Sequence, residues 1–560
     1  MCQNDSKESV IGNSVTWCIL IQLLCTVLII GIVALTYRNA KANFTKKLLQ
    51  VDKRLQQITH RTNLQIPNTC LIEQIARHMK VEFDALEGDK SRRVEVILGK
   101  SVSMMLSSMN NAEGTSPLLG KSYQRNALEF DGTHLILKDQ SDNSRKLVDL
   151  TGKRLFVAGF GKAVLAMFEG IPAELPVEEA IIIAPEAALK VSDESESLKF
   201  RYAIFFAARN NLPDENSVKA TEEFVKFLKE RDSAHSIFLF LISGGGSALL
   251  CSPVNGVSLE EKQTTINMLT SNGADIKQLN IVRQALSNVK GGRLLGKIQQ
   301  SQAISLIISD IVGDPLEFIA SGPTVIQTTQ RKTAQEIIRD LNLEEKLPKN
   351  VDERVSIRRE AAVHENVSNL IISSNKDFLN DLKNLLSDHN CGIVTDSITG
   401  DATEFGRELA RLVMSRRVSN SWLTNLDRSS LSPSILLFGG ETTVKIRGNG
   451  KGGRSQELAL AFLVEILETS QTDDLKELPE FVLMAAGTDG QDGPTDADGA
   501  VLEKNDIDLQ KISEILNSAK KSLENSDSYN FWSTFNEGKC HLKTGLTGTN
   551  VMDAIVLSLR

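Results

Sequence analysis

Residues 237–250 read IFLFLISGGGSALL, and this segment decides the predicted fold class. Its apolar, β-prone beginning is typical of a strand that is buried on both faces of a parallel sheet. The turn that follows, Ser243–Ser247, contains three consecutive glycines, whose backbone can take positive φ and approach a ligand closely. If a helix comes next, its free N–H groups and positive dipole end favour phosphate there. Tight packing without a ligand is the alternative explanation for the same pattern.

Strand-like runs recur along the chain and are separated by segments with helical periodicity. They are Leu155–Ala158, Ala180–Ile183, Ile237–Ile242, Ala303–Ile308, Asn369–Ser373, Gly392–Asp396, Ile435–Phe438 and Glu480–Ala486. This alternation predicts an α/β architecture with parallel sheets. A chain of 560 residues is long enough for two cores, and the charged, helical stretch 324–366 predicts the break between them.

Charge and cysteine content exclude several classes of protein. The formal net charge is −8 and no long basic stripe occurs, so nucleic acid is not an expected partner. The seven cysteines are scattered and none forms a C-x-x-C pair, which supports neither a disulfide framework nor a zinc site. A reduced compartment is the simplest expectation for the folded part.

The N-terminal segment does not follow the α/β pattern. No charged residue occurs from Ser9 to Tyr37, and Val15–Leu35 is almost continuously apolar. This length predicts a single transmembrane helix at about residues 15–36. A secretory signal peptide fits less well because the apolar run is long and the segment before it is not basic. A mitochondrial presequence would be rich in arginine and poor in acidic residues, and this segment is not.

The charges next to this helix predict its orientation. Basic residues follow it at Arg38, Lys41, Lys46 and Lys47, so the rest of the chain is expected to face the cytosol. The predicted location is therefore a membrane, crossed once, with a soluble cytoplasmic or a mitochondrial location as the alternative.

A second glycine-containing turn follows an earlier strand. Residues 156–167 read FVAGFGKAVLAM, a strand, a turn with Gly161 and Lys162, and a helix. Val164 stands where a dinucleotide-binding fingerprint has its third glycine, and Ala163 stands where a Walker loop has Ser or Thr. A lysine at a helix N-terminus is unfavourable unless an anion lies there, so Lys162 is a candidate phosphate ligand. An exposed lysine without a ligand is the alternative.

Acidic residues follow the strand at Ala303–Ile308. Residues 305–315 read SLIISDIVGDP, which places Asp310 and Asp314 at the carboxyl end of that strand, where α/β enzymes bind their ligands. A carboxylate there can orient a hydroxyl group, accept its proton or hold Mg²⁺. A helix-capping aspartate is the alternative.

Two further turns carry charged groups. Residues 435–458 read ILLFGGETTVKIRGNGKGGRSQEL, in which a strand ends at Gly439–Thr442 and a glycine-rich loop leads to Arg454 at a helix start. The planar guanidinium of Arg454 suits phosphate or carboxylate. Residues 484–499 read MAAGTDGQDGPTDADG, an acidic loop that lacks the spacing of a calcium-binding EF-hand. The loop is expected to face Mg²⁺ or a nucleotide, and an acidic loop that is only solvated is the alternative. Phosphate-sized turns, two cations and several carboxylates fit phosphoryl transfer.

Nine blocks of the sequence, taken together, resemble the glycerate kinases of the two-domain family with a MOFRL-type C-terminal domain. The blocks are GFGKA (159–163), LISGGGSALL (241–250), LNIVRQALSNVKGGRL (279–294), ISDIVGDP (308–315), ASGPT (320–324), GGETTV (439–444), GGRSQELAL (452–460), GTDGQDGPTDADG (487–499) and TGTNVMD (547–553). The resemblance spans about 70–560 and implies ATP- and Mg²⁺-dependent phosphorylation of D-glycerate. It also implies a Rossmann-like N-terminal domain, a smaller α/β C-terminal domain and a site in the cleft between them.

The residues of the site follow from this resemblance and from the motifs. The expected catalytic residues are Lys162, Asp310 and Arg454. The expected nucleotide- and phosphate-binding residues are Ser243, Gly244, Gly245, Gly246, Ser247, Gly439, Gly440, Glu441 and Thr442. Substrate is expected at Gly161, Arg283 and Arg293, and the metal ion at Asp314 and Asp489.

The predicted organisation has five parts. They are an N-terminal segment with the transmembrane helix (1–37), a juxtamembrane linker (38–69), the Rossmann-like domain (70–330), a connecting helical segment (331–365) and the MOFRL-type domain (366–560). The expected partners are the small molecules D-glycerate and ATP and, through the N-terminal helix, a membrane. The sequence leaves the oligomeric state open.

Two other functions remain open from the sequence alone. Some bacterial relatives carry the name hydroxypyruvate reductase, but the incomplete dinucleotide fingerprint argues against hydride transfer. The other alternative is a non-catalytic, membrane-tethered nucleotide-binding protein, although every expected catalytic position is filled.

Overall fold

The computed structural model describes residues 127–559, except for gaps at 139–143, 192–199, 210–211, 327–331, 357–363, 365, 388, 416, 420, 425–433, 474, 476 and 546. The predicted transmembrane helix, the juxtamembrane linker and the start of the predicted Rossmann-like domain lie outside these residues. Within them, we find no helix that combines the length and the apolar character needed to cross a bilayer.

A small antiparallel sheet, which the sequence did not predict, precedes the main fold. Its strands pair in the order β1-β2-β3 and are β1 (Leu128–Phe130), β2 (His134–Lys138) and β3 (Arg145–Asp149). Leu135, Leu137 and Val148 are buried, so the sheet is apolar on one face only.

A six-stranded, fully parallel sheet follows, and its strands are parallel as predicted, although the strand at Arg201–Ala207 was not predicted. Its strands are β4 (Arg154–Phe160), β5 (Val177–Pro185), β6 (Arg201–Ala207), β7 (Ser236–Ile242), β8 (Gln302–Ile308) and β9 (Val367–Ser373). The spatial order is β6-β5-β4-β7-β8-β9. The chain runs outward from β4 in one direction and then from β7 in the other, so the strand order reverses between these two strands. In open α/β sheets, this reversal creates a crevice at the carboxyl ends of the strands.

Helices cover this sheet and extend beyond it. They are α1 (Val164–Glu169), α2 (Glu215–Arg231), α3 (Gly246–Leu249), α4 (Leu259–Ser271), α5 (Ile276–Ala285), α6 (Ala334–Asp340) and α7 (Lys349–Val355). Capping boxes begin α2, α4, α5 and α6. Helices α4–α7 form a separate apolar cluster that includes Leu269, Val282, Ile337 and Val351. Part of the predicted connecting segment is therefore packed against the N-terminal half.

The second six-stranded sheet corrects our expectation of parallel strands. Its strands are β10 (Cys391–Ile398), β11 (Ser434–Gly440), β12 (Phe481–Gly487), β13 (Gly499–Glu503), β14 (His541–Leu542) and β15 (Asp553–Leu559). The order is β10-β11-β15-β12-β13-β14, and only β10 and β11 run parallel. Strand β15 enters between β11 and β12 in the opposite direction. Strand β9, which we predicted to open the C-terminal domain, pairs instead with β8 in the first sheet.

The helices of the second half surround one long buried helix. They are α8 (Asn375–Leu385), α9 (Ala402–Val413), α10 (Ser421–Thr424), α11 (Arg454–Thr472), α12 (Ile512–Glu524) and α13 (Ser528–Thr534). Most residues of α11 are buried, and the helix forms the centre of the core with α9, α12 and the sheet. Such all-round burial is typical of a central helix.

Short 3₁₀ helices complete the described structure. They are Glu186–Val191, Leu295–Lys297, Ile319–Ser321, Glu344–Lys346, Lys504–Asp506, Leu509–Lys511 and Phe535–Gly538.

Candidate active site

Two glycine-containing turns meet at the crevice between β4 and β7. The backbone N–H of Lys162 donates to the carbonyl of Gly244 at 2.7 Å, and the N–H of Ala163 donates to Oγ of Ser243 at 2.9 Å. Gly161 has a φ of 136°, and a Cβ at this position would overlap Ser243. Only glycine allows so close an approach. The predicted turns therefore form one structure, although helix α3 after the second turn has only four residues.

The side chain of Lys162 is held by the acidic loop of the other half of the molecule. Its Nζ lies 2.9 Å from Oδ2 of Asp489, and the two side chains are 25% and 14% exposed. The second oxygen of Asp489 accepts the N–H of Gln491 at 3.1 Å. The anion that a lysine beside a helix N-terminus requires is, in this structure, Asp489.

Asp310 lies directly behind the glycine turn. A Cβ on Gly244 would overlap the carboxylate of Asp310, so only a glycine there leaves room for it. Nδ2 of Asn550 donates to Oδ2 of Asp310 at 3.3 Å. Burial raises the pKa of Asp310 to about 6, with help from the charges of Glu441 and Asp489 and against that of Lys162. A carboxyl group with this pKa changes its protonation state close to neutral pH.

Arg454 forms the first residue of helix α11, as predicted, and faces two carboxylates. Its Nε and Nη2 donate to Asp553 at 2.6 and 2.9 Å, and its Nη1 lies 2.9 Å from Oε1 of Glu441. Burial opposes the positive charge, but Asp553 and Glu441 outweigh it and raise the pKa of Arg454. Glu441 thus pairs with Arg454, and its negative charge also raises the pKa of Asp310.

The turn at the end of β11 is shaped by packing. Gly440 has a φ of 131°, and a Cβ there would overlap the backbone of Ile398. A Cβ on Gly439 would overlap Asn375. The N–H of Glu441 donates to the carbonyl of Ile398 at 2.9 Å, and Thr442 is buried. These glycines let the turn pass close to neighbouring backbone, which directs Glu441 toward Arg454.

The aspartates of the acidic loop have separate partners. Asp492 accepts the N–H groups of Ser455 and Gln456 at 3.1 and 2.9 Å and so caps helix α11. Asp496 bonds Tyr529 and Lys543 at the surface, and Asp498 bonds Thr544. In the part of the chain that the structure describes, no three His, Cys, Asp or Glu side chains form a metal-binding group.

The predicted metal ligands lie in different surroundings. Asp489 contacts Lys162, whereas the charged groups that act on Asp314 are Asp377, Asp396 and Lys376. Burial raises the pKa of Asp314, and its backbone has a φ of 55°.

The predicted substrate-binding arginines differ from each other. Nη1 of Arg293 donates to the carbonyls of Gln284 and Lys290 at 2.8 and 3.0 Å, which fastens the end of helix α5. Arg283 lies in the last turn of the same helix, where burial lowers its pKa. Its guanidinium forms no ion pair or hydrogen bond with the described residues, so its N–H groups are available to donate to an external carboxylate.

Asn550 and Asp553 are site residues that sequence reasoning did not identify. Both come from the block TGTNVMD, which leads into a strand, whereas sequence pattern favours polar residues that follow a strand as site residues. The block was part of the family resemblance, and its polar residues were the available signal.

Two family models and several named proteins are similar to this chain. The family described as "Domain of unknown function (DUF4147)" matches residues 118–356, and the MOFRL family matches residues 434–553. The glycerate kinase of Rattus norvegicus is 34% identical over 82% of this chain and 95% of the rat protein. This chain belongs to the glycerate kinase family.

A bacterial member and a solved structure extend the comparison. The D-glycerate 2-kinase of Thermotoga maritima is 35% identical over 63% of this chain and 79% of the bacterial protein. The crystal structure of glycerate kinase (EC 2.7.1.31) from the same organism matches with a TM-score of 0.58 and 30% identity, over 73% of this chain and 92% of that one. The α/β fold with a second sheet domain is thus that of the family.

Proposed function

We propose that this chain transfers the terminal phosphoryl group of ATP to a hydroxyl group of D-glycerate, in a Mg²⁺-dependent reaction. The observation that carries the proposal is the convergence of three distant motifs on one crevice. Lys162 reaches Asp489, and Glu441 acts on both Asp310 and Arg454. The names of the mammalian and bacterial relatives support phosphorylation of glycerate.

Asp310 is the proposed proton acceptor. With a pKa of about 6, its carboxyl group is ionised at neutral pH and remains basic enough to take the proton of a substrate hydroxyl group. Asn550 holds one carboxylate oxygen, which fixes the orientation of the other.

Lys162 and Arg454 are the proposed ligands of the transferred phosphoryl group. Phosphoryl transfer is catalysed mainly by positioning and by neutralising charge on the phosphoryl oxygens. Both cations already pair with carboxylates. When the nucleotide binds, its phosphate oxygens replace Asp489 as the partner of Lys162 and Glu441 as the partner of Arg454. The glycine turn Ser243–Ser247 lies beside Lys162 and offers backbone N–H groups to the same oxygens.

The residues of the crevice also fit Mg²⁺. This ion is normally held by one or two carboxylates together with phosphate oxygens, and a complete cage of protein ligands is not required. The carboxylate of Asp310 lies against Gly244, and Asp489 pairs with Lys162, which lies against Gly245, so two carboxylates border the same glycine turn. The ion would share the negative charge of the phosphates with Lys162 and Arg454.

Arg283 is the proposed ligand of the substrate carboxylate. A half-buried guanidinium without a carboxylate partner is costly, and a bound organic acid would offset that cost. Its neighbour one turn earlier, Asn280, accepts a hydrogen bond from Ser321, which in turn bonds Ser247 of the glycine turn. Arg293 is already bonded to backbone carbonyls and is the weaker candidate.

A coupled assay tests the proposal against the reductase alternative. ADP release is measured with D-glycerate, ATP and Mg²⁺, and NADH oxidation is measured with hydroxypyruvate, with Lys162→Ala as the inactive control. We expect ADP release only, dependent on Mg²⁺, and the NMR spectrum of the product identifies the phosphorylated hydroxyl group, for which the name of the Thermotoga maritima relative favours position 2. NADH oxidation, or no turnover of either substrate by folded protein, would contradict the proposal.

A further inference from the structure

A buried lysine outside the predicted site fastens the glycine turn from behind. Lys290, in the loop between α5 and β8, is 1% exposed. Its Nζ donates to the carbonyl of Ser247 at 2.8 Å and to that of Leu250 at 3.0 Å. These carbonyls belong to the short helix α3 and its end, where backbone oxygens lack helical partners.

The two residues after Lys290 fasten a second loop. The N–H groups of Gly291 and Gly292 donate to the carbonyls of Ser321 and Gly322 at 3.0 and 2.8 Å. Both glycines have positive φ, and Oγ of Ser321 lies 2.6 Å from Oγ of Ser247. Residues 290–292 therefore join the glycine turn to the block ASGPT at 320–324.

The charges around Lys290 show that it does not serve as an ion-pair partner. Burial and the cations Lys262 and Arg283 lower its pKa, the thiol of Cys251 acts in the opposite direction, and its hydrogen bonds go to neutral carbonyls. Burial of a lysine costs free energy, and hydrogen bonds to neutral carbonyls offset less of that cost than a carboxylate would. Stability alone therefore does not account for a lysine here.

We propose that Lys290 is a positioning residue, which holds the glycine turn Ser243–Ser247 in the conformation that binds the phosphate groups. The inference rests on the proposed function of that turn. When the two hydrogen bonds are lost, helix α3 loses its fixed end, and the turn in front of it shifts relative to Lys162 and Asp310. A displacement of about 1 Å in a catalytic group lowers the rate about 100-fold.

Lys290→Met and Lys262→Met form a matched pair for the test. Lys262 is also buried, but its Nζ contacts Sγ of Cys251 at 3.6 Å and no carbonyl of the turn. We expect Lys290→Met to lower kcat/KM for ATP about 100-fold at a Tm within about 10 °C of the wild type, because two buried carbonyls lose their donor, and Lys262→Met to change kcat/KM less than about threefold. Equal effects of both substitutions on kcat/KM would overturn the proposal, as would a Tm lowered by more than about 10 °C in Lys290→Met alone.

Amide hydrogen exchange separates this inference from the proposed reaction. At equal global stability, residues 244–250 should exchange faster in Lys290→Met than in the wild type or in Lys262→Met. If the wild-type chain has no kinase activity but Lys290→Met still exchanges faster at 244–250 than the wild type, the role of Lys290 is supported and the proposed function is contradicted. Unchanged exchange at 244–250 would overturn the role of Lys290 whatever the activity.

Discussion

The two six-stranded sheets bring residues to the same crevice by different routes. In the first sheet, β4, β7 and β8 are parallel, so their carboxyl ends deliver Lys162, the glycine turn and Asp310 to one edge. In the second sheet, β15 runs against β11 and β12, and its first residue, Asp553, pairs with both Gly440 and Gly487. The start of this antiparallel strand therefore lies at the edge where its two neighbours end. The residues just before it, including Asn550, reach the crevice from that edge.

The largest expected effect is the loss of kcat on substitution of Asp310, the carboxylate that the parallel sheet supplies. Asp310→Asn keeps the shape of the side chain but removes the proton acceptor, so kcat should fall about 10³-fold or more. Because the folded-state pKa of Asp310 is raised, its ionisation opposes folding above pH 6. The Tm of the variant at pH 8 should therefore equal or exceed that of the wild type.

Asp314→Asn is the matched control for this measurement. Asp314 follows the same strand but faces Asp377, Asp396 and Lys376. Its substitution should change kcat less than about threefold. If Asp314→Asn loses activity and Asp310→Asn does not, the role of the proton acceptor belongs to Asp314.

Lys162→Ala and Arg454→Lys compare the cations that the two sheets supply. Each should lower kcat about 10²- to 10³-fold, because one removes a charge and the other removes the planar, two-pronged contact to phosphate. Lys445→Ala, at an exposed lysine paired with Asp401, should have no measurable effect on steady-state kinetics. A loss confined to Lys162→Ala would mean that only the parallel sheet supplies a catalytic cation.

The pH dependence of the wild type should follow Asp310. Below pH 6, kcat/KM should fall about tenfold per pH unit, because the protonated carboxyl group accepts no proton. The residual activity of Asp310→Asn should show no such fall between pH 5 and 7. A wild-type profile that is flat over this range would exclude Asp310 as the base.

The smallest expected effects are on stability, and they distinguish a helix-capping aspartate of the acidic loop from one that makes surface contacts. Asp492→Ala leaves two N–H groups at the start of α11 without their acceptor, so the free energy of unfolding should fall by about 1–2 kcal/mol. Asp496→Ala removes surface contacts only and should change it by less than about 0.5 kcal/mol. Urea denaturation of both variants measures this. Equal losses would mean that Asp492 does not cap the helix.

Local sequence pattern accounts for more of the first sheet than of the second. All eight predicted strands exist, because an apolar run between turn residues marks a buried strand wherever it pairs. The pattern does not specify the partner, so the place of β15 between β11 and β12 and the pairing of β9 with β8 were not foreseen. The cation positions Lys162 and Arg454 were identified from helix starts, whereas Asn550 and Asp553 required the tertiary pairing.

The position of β15 has a consequence for the order in which the chain folds during synthesis. The parallel sheet has all of its strands once residue 373 has emerged from the ribosome, whereas the other sheet lacks an internal strand until residues 553–559 are made. Until then, β11 and β12 present open edges to other nascent chains. A premature stop before Asp553 would leave those edges exposed permanently and would also remove one of the two counter-ions of Arg454.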